Sequence, residues 1–542
     1  MRFRWLAAVA LSFLATGIAH AQPNATGPAV EVRVRSVNDL VDKFGYVAGL
    51  AGKEDVVAQV REMIKQLTAD GKGIEGIDPK KPTGAYATLT KDIEATPFVI
   101  LVPIADEEQF LKALKTRLDV TPEKADDGTL KVAVPFINAL HLRFTNGYLY
   151  VSQKVEGLDA KALITPKAFF AKDDGAVASV VVHVDRVPDD LKTLFLGQFE
   201  LSVNEERKKS QSKQNAIEKK SANLVVDAGI GAVKGLIEDG QELSVKVFAD
   251  PKSDELSAEV TLTAKSGTAT AKNITALGRK TSLPAGIVGA GAASVARGNV
   301  SVAVTDGMKK DYADLIDLML AEALKNPPGG QEELAKQLVG AIGPTLKSGE
   351  LDASSAFIGP DAKGQYQVIA AFAVKEGKGI EKLLKDVVKQ FGPMIEQAGT
   401  VKFDVETVGN FSLHSFELQN VDDKLDKVFG TKTIWLAISD TCIAFSVEPD
   451  GATIRKGLKA KAVPVPVVSG DLAVAKFLPL VRPDLKPDEL KALIKDAFGD
   501  SPPGGKDTVK FSLEGGKQLS VKFVVKGKAI KMGAGLDLLK GK

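Results

Sequence analysis

Leu140-His141-Leu142-Arg143-Phe144-Thr145-Asn146-Gly147-Tyr148-Leu149-Tyr150-Val151-Ser152 reads as a β-hairpin. Leu140, Leu142 and Phe144 alternate with polar residues up to Asn146-Gly147, and Leu149 and Val151 resume beyond it. Asn-Gly between two alternating runs is the strongest short-range hairpin signal, because both residues tolerate the positive φ of a two-residue turn. An antiparallel pair here predicts an antiparallel or mixed sheet around it.

Working outward, the same patterning recurs. Val30, Val32 and Val34 alternate with Glu31, Arg33 and Arg35, a half-buried strand. Val56, Val57, Val60, Met63, Ile64 and Leu67 share one face of a 3.6-residue period and predict a helix. Gly76-Ile77-Asp78-Pro79 breaks the chain before strands around Ala85–Leu89 and Phe98–Ile104. Asp106 is placed to cap a helix carrying Phe110, Ala113 and Leu114 inward. Beyond the hairpin come a Val-rich strand (Val177–Val184), a long helix from near Asp189, and strands Leu243–Phe248 and Leu256–Ala264.

This order then repeats. Val300 and Val302 follow Val32 and Val34 at an offset of 268, and Ala356-Phe357 follows Ala85-Tyr86 at 271. Ile369–Val374 follows Val99–Ile104 at 270, leading into a helix with apolar residues at 380, 383, 384, 387, 388 and 391. Ile443-Ala444-Phe445-Ser446 matches Leu149-Tyr150-Val151-Ser152 at 294, Leu472 and Val474 match Val182 and Val184 at 290, and Leu519-Ser520 matches Leu256-Ser257 at 263. The stepwise offsets place about 24 extra residues near Phe403–Thr433 in the second half. They place 27 between Val184 and Leu256 in the first, where Glu205–Lys220 is the most charged run. The period is too long for a solenoid and fits two duplicated domains. The expected fold is α+β: two duplicated halves, each a mostly antiparallel sheet with helices packed on one face, in a ferredoxin-like β-α-β-β-α-β order. The expected boundaries are a signal peptide at 1–21, a flexible leader at 22–28, the first repeat at 29–280, a Gly/Ala-rich linker at 281–298 and the second repeat at 299–542.

Arg2 and Arg4, the apolar run Trp5–Ile18 and Ala19-His20-Ala21 form a Sec-type signal with cleavage after Ala21. Phe3 between the arginines excludes a twin-arginine signal, and Gln22 at the cleavage point excludes a lipoprotein. Later stretches lack the roughly 20 apolar residues of a spanning helix, so no transmembrane segment is expected after cleavage, and the product is expected to be secreted or periplasmic. The full chain carries 71 Lys+Arg and 69 Asp+Glu; losing Arg2 and Arg4 leaves the balance at zero, which gives no reason to expect nucleic acid as a partner. The single cysteine, Cys442, allows no intrachain disulfide. Aromatics are 6% of the chain and Trp435 is the only tryptophan beyond the signal, so stacked sugar or single-strand sites are disfavoured.

Candidate chemistry is sparse. His141, His183 and His414 each sit in a strand-like run without the close spacing of a zinc site, and are expected at the solvent face or core edge. His183 and Asp185, two apart on one strand face, could form a base with an orienting carboxylate, but no activated Ser or Cys is marked nearby. Cys442, between Thr441 and Ile443, reads as an inert buried thiol. Asp106-Glu107-Glu108 and Asp189-Asp190 precede helical periodicity, where negative charge stabilises the helix start; Asp422-Asp423 is a third acidic cluster. Gly286, Gly289 and Gly291 match neither a dinucleotide fingerprint nor a P-loop and read as punctuation in the linker. Arg207, Lys208, Lys209, Lys213, Lys219 and Lys220, interrupted by Glu205, Glu206 and Glu218, read as a solvated helical projection belonging to the first half. Asn24, Asn273, Asn299 and Asn410 each open an N-x-S/T sequon. No catalytic, cofactor-binding or metal-binding residue is assigned, and no cofactor is expected.

Val34–Leu50, the turn Gly76-Ile77-Asp78-Pro79-Lys80-Lys81-Pro82 and the strand-helix Val99–Leu114 together resemble uncharacterised exported proteins of planctomycete-type bacteria. The likeness covers most of the chain. That family has no established activity, so the resemblance implies an exported context and no functional residue. The resulting expectation is a non-enzymatic envelope or secreted protein that binds a partner, a protein or another envelope component, or forms a scaffold. The alternatives are a carrier enclosing an apolar ligand between sheet and helices, or a hydrolase whose site only the fold assembles.

Overall fold

The computed structural model describes residues 27–67, 75–134, 137–171, 174–211, 214–290, 294–325, 332–419, 423–499 and 504–540. The expected signal peptide and Asn24 lie outside them. The described chain is a mixed helix and sheet protein forming two compact units, one of residues 27–201, 234–270 and 533–540, the other of 202–233 and 271–532.

In the first unit the strands are β1 (Val30–Val34), β2 (Thr83–Ala87), β3 (Phe98–Pro103), β4 (Glu123–Lys124), β5 (Leu130–Val134), β6 (Ile137–Thr145), β7 (Tyr148–Ser152), β8 (Ala178–His183), β9 (Gly240–Asp250) and β10 (Glu255–Ala264). They pair antiparallel in the order 10-9-8-1-2-3-7-6-5-4. The hairpin quoted above is β6–β7, with Thr145 opposite Tyr148. Asn146 and Gly147 take φ of 55° and 71°, the double left-handed turn that Asn-Gly favours.

In the second unit, β11 (Lys280–Ser282) pairs with β19 (Val463–Val465) as a small separate ribbon. The main strands are β12 (Ser294–Ala303), β13 (Glu350–Ile358), β14 (Gln367–Ala373), β15 (Gly399–Val408), β16 (Phe411–Leu418), β17 (Thr433–Ile438), β18 (Cys442–Val447), β20 (Val468–Ala473), β21 (Thr508–Glu514) and β22 (Leu519–Lys526). Their antiparallel order is 22-21-20-12-13-14-18-17-16-15. Position for position, it repeats the order of the first sheet.

Neither sheet has the ferredoxin-like order expected from the sequence. Two helices, Val37–Leu50 and Glu54–Leu67, join β1 to β2; Lys309–Lys325 and Glu332–Lys347 join β12 to β13. One helix carries the chain away and the next carries it back. The following strand therefore starts where the last one ended and pairs with it antiparallel, without a crossover.

Helical segments also cover both sheet faces rather than one. Tyr86, Val99, Leu101 and Tyr150 pack with Leu158 and Phe169, while Val132, Leu142 and Leu149 pack on the other face with Phe110 of the helix Glu107–Leu118. In the second unit Ile369, Ala371 and Ala444 pack with Ile287 and Ile454, while Ile443 and Ile438 face Ile380 and Leu384.

The stretch expected to be a linker is built into the second unit's core. Leu283–Gly289 is a helix capped by Ser282, whose Oγ accepts from Ala285 N–H at 3.0 Å, and Pro284, Gly286, Ile287 and Val288 are buried. A Cβ on Gly286 would lie 2.1 Å from the Lys461 carbonyl oxygen, so this glycine is required by close packing rather than by flexibility. Gly289 ends the same helix, and Gly291 lies outside the described residues.

The charged run belongs to a helix pair, Asp189–Gln211 and Ala216–Asp239, between β8 and β9. The second sheet has a pair in the same place, Val474–Val481 and Pro487–Phe498. The helices are 23 and 24 residues in the first case and 8 and 12 in the second, which accounts for the 27-residue offset change. The first half thus lengthens an element present in both, rather than adding one. None of the described residues between 205 and 220 is buried, and Arg207 pairs with Asp227 at 2.7 Å and Lys220 with Asp314 at 3.4 Å.

Candidate functional site

Cross-strand register sets the floor of a cavity in the second unit. Residues directly opposite in antiparallel pairs share a face, so Ala353, Phe372 and Ile443 form one row across β13, β14 and β18. Val302 and Leu351 form the neighbouring row on the same face. Above this floor lie Tyr312 of the helix Lys309–Lys325, Ile342 and Leu346 of Glu332–Lys347, and Ile380 of Gly377–Gln390. The half-open space is about 1010 Å³ and its walls are almost wholly apolar. Phe372 is 37% exposed and Leu351 53%, so the apolar floor opens to solvent instead of closing as packed core.

The helices stand off the floor because of how they are tied. Gly377 N–H donates to Asp440 C=O at 2.8 Å, and a Cβ there would come within 2.0 Å of the Ser439 carbonyl oxygen, so only glycine lets this helix start so close to the β17–β18 turn. Lys375 N–H donates to Thr345 Oγ1 at 2.8 Å, and Thr345 Oγ1 donates back to the Lys375 carbonyl, fixing the end of Glu332–Lys347. Lys375 Nζ reaches Glu350 at 3.1 Å. Thr305, Thr345, Glu350 and the hydroxyl-bearing Tyr312 are the polar residues of the cavity wall.

A second feature lies under the helix Gly377–Gln390. Glu381 is buried with 7% of its side chain exposed, and Lys378 and Lys385, three before and four after it, each reach its carboxylate at 2.8 Å. Burial alone raises the Glu381 carboxyl; the hydrogen bonds and charges of the two lysines more than reverse this, to about 2. Lys385 Nζ also lies 2.8 and 2.9 Å from the Asp404 carboxylate oxygens. A bulge between Lys402 and Glu406 puts Asp404 at φ 51° and aims its backbone N–H at His414 Nδ1, 3.0 Å away.

Glu381, Asp404 and His414 bring one ligand-type atom each within 4.8 Å of one another. The donor set nevertheless suits a tethered ammonium, not a metal ion. Lys385 already holds the position between the carboxylates. Nδ1 accepts the Asp404 N–H, so the ring proton is assigned to Nε2, which is buried without a hydrogen bond and 3.5 Å from Glu381 Oε1. A metal on Nε2 would have to displace both that proton and the lysine. Burial holds His414 below the ordinary imidazole value, against the pull of Glu381 and Asp404.

The other candidates from the sequence are dispersed. His414 is fully buried, not at an edge. His183 and His141 lie on β8 and β6, five strand spacings apart, about 24 Å. β8 ends at His183 and Val184–Arg186 turns as a 3-10 helix, so Asp185 leaves the strand face. The ring instead lies 3.1 Å from Glu31 and 3.6 Å from Glu242. Cys442 is buried, and burial pushes its thiol up to about 12. Asp106 caps its helix by accepting from Gln109 N–H at 3.0 Å, with Glu107 and Glu108 in the first turn; Asp189 and Asp190 lie in the first turn of theirs. Asp423 starts the helix Asp423–Phe429, and Asp422 and Lys213 lie outside the described residues. Asn299 is buried with Nδ2 donating to the Pro466 carbonyl, whereas Asn273 and Asn410 are exposed.

Sequence reasoning missed the cavity because alternating apolar strands look alike whether the helices above them close down or stand off. Glu381 is hidden in the sequence by the apolar stripe of Ile380, Leu383 and Leu384 around it. The Lys378–Glu381–Lys385 spacing was the available signal. No helix of the described residues is long and apolar enough to cross a membrane. Comparison with protein-family models, curated proteins and solved structures finds no match to this chain.

Proposed function

We propose that this is an exported binding protein that carries a small apolar ligand in the cavity of its second unit. The cavity carries the reading: about 1010 Å³, floored by one face of β12, β13, β14 and β18 and walled by three helices, in the size range of small-molecule pockets. A scaffold needs no such space. A hydrolase would need convergent reactive groups there, whereas the walls offer two threonines, one tyrosine and one glutamate paired with a lysine. The signal-like segment ending at Ala21 and the resemblance to exported proteins support an extracytoplasmic setting. The matching strand orders support the reading of two duplicated halves, of which the second has specialised for binding.

The test uses the protein recovered from the export fraction. Its intact mass is expected to start at Gln22, and it is expected to bind the uncharged probe N-phenyl-1-naphthylamine saturably at one site. Ala353→Trp fills the floor beside Phe372 and is expected to abolish that binding while the thermal midpoint holds. Retention of Met1 would remove the export claim. Lack of saturable binding, or binding indifferent to Ala353→Trp in a folded variant, would remove the carrier claim.

A further inference from the structure

We infer that the first unit holds a second binding site, a recess at the end of β1 that takes a small organic phosphate monoester. The inference is independent of the carrier reading above.

Alternation decides which side chains face this recess. Val30, Val32 and Val34 take the apolar side of β1, so Glu31, Arg33 and Arg35 take the other. Arg33 stands directly opposite Ser179 of β8. Three segments are pinned around this end of the strand. Arg35 N–H donates to the Val177 carbonyl at 3.0 Å, which holds the approach to β8. Asn38 N–H donates to the Pro79 carbonyl at 3.1 Å, which holds the turn before β2 against the start of the helix Val37–Leu50. The Tyr148 hydroxyl donates to the Pro82 carbonyl at 3.1 Å and fixes the other end of that turn. Between them lies a recess of about 390 Å³, large enough for a small molecule.

The charges of its wall do not cancel. Arg33, Arg35 and Lys80 line it with Asp39 and Asp174. Arg33 pairs with Glu31 and donates its Nε–H to the Phe169 carbonyl at 2.8 Å. Asp174 pairs with Lys246 at 2.5 Å, and Asp39 faces Lys43 at 3.9 Å. Arg35 and Lys80 are exposed and have no ion pair among the described residues. Two uncompensated cations on one recess favour an anion there, and they match the nearly double negative charge of a phosphate monoester at neutral pH. A hydroxyl adds a donor: Ser36 is buried, its Oγ accepts from Asp39 N–H at 3.0 Å, and its own proton remains to be donated. A phosphate group alone would leave much of the recess unfilled, and Pro82, Phe170 and Ala176 offer an apolar wall to a small organic body. The Gly76–Pro82 turn, conspicuous in the sequence, thereby presents Lys80 to the ligand.

Isothermal titration calorimetry of the full protein at low ionic strength tests the site with phenyl phosphate, inorganic phosphate and benzoate. Phenyl phosphate is expected to bind saturably, roughly ten-fold more tightly than inorganic phosphate, which lacks the organic body, and than benzoate, which carries one charge. Arg35→Gln and Lys80→Gln are each expected to weaken it about ten-fold, because each removes a charge-assisted contact. Lys115→Gln, at an exposed position of the helix Glu107–Leu118, is expected to leave it unchanged, with thermal midpoints showing that all three variants fold. Benzoate or inorganic phosphate binding as tightly as phenyl phosphate overturns the assignment to a phosphate monoester. Absence of saturable binding, or a response that does not separate Arg35→Gln and Lys80→Gln from Lys115→Gln, overturns the site itself.

Discussion

Glu381 shows how one residue can be read two ways. On the helix Gly377–Gln390 it sits among Ile380, Leu383 and Leu384, where an apolar side chain would be expected, yet it is an ionised carboxylate with two lysines. An uncompensated buried charge would be strongly destabilising; a paired one is tolerated. Its carboxyl is depressed from 4.5 to about 2, so its contribution is complete above pH about 4.5 and is lost as pH falls from there towards 2. Urea unfolding of Glu381→Gln, followed from pH 6 to 2.5, is expected to show a shallower loss of stability below pH 4.5 than the parent. Parallel curves would show that other carboxylates govern the acid limb. The i−3 and i+4 lysines were visible in the sequence. His414 and Asp404 were not, because a β-bulge and a long-range approach bring them in.

At the scale of elements, the sequence was legible wherever chemistry is local. The Asn146-Gly147 turn, the Asp106 cap and most strands follow from short-range rules. The linker reading of 281–298 failed because glycine supports two opposite roles, freedom and close approach. Only the Lys461 carbonyl beside Gly286 decides between them. The β-α-β-β-α-β order failed because two helices between strands invert the direction of the next strand, and periodicity carries no direction. The long helix pair is legible from Asp189 onward, but its shorter counterpart Val474–Val481 and Pro487–Phe498 is not, so periodicity alone makes it look specific to one half. Its outer part gives a direct test. Replacing Glu205–Lys220 with a short glycine-containing turn removes no described buried residue and two surface ion pairs, each contributing about 0 to 1 kcal/mol. The variant is expected to keep its circular dichroism and lose at most a few degrees of thermal midpoint. Global unfolding would show that the charged helices are integral to a core.

The whole molecule poses a question that neither unit answers alone. The compact units are not consecutive in sequence: Asp189–Gln211 starts in one and ends in the other, Ala216–Asp239 returns, and Gly527–Lys540 passes between them again. A helix is a cooperative element, since each turn's hydrogen bonds depend on its neighbours. Loss of one unit therefore strips ordered turns from helices that the other unit uses. Two domains joined by a free linker would melt separately. Three shared helices predict one transition instead, with calorimetric and van't Hoff enthalpies in agreement. A ligand filling the cavity of the second unit should then raise the midpoint of the entire transition, because anything that binds only the folded state stabilises all that unfolds with it. Differential scanning calorimetry with and without saturating N-phenyl-1-naphthylamine tests both parts. Two resolved transitions, with only the one that responds to ligand moving, would show that the shared helices do not couple the units and that each sheet stands on its own core.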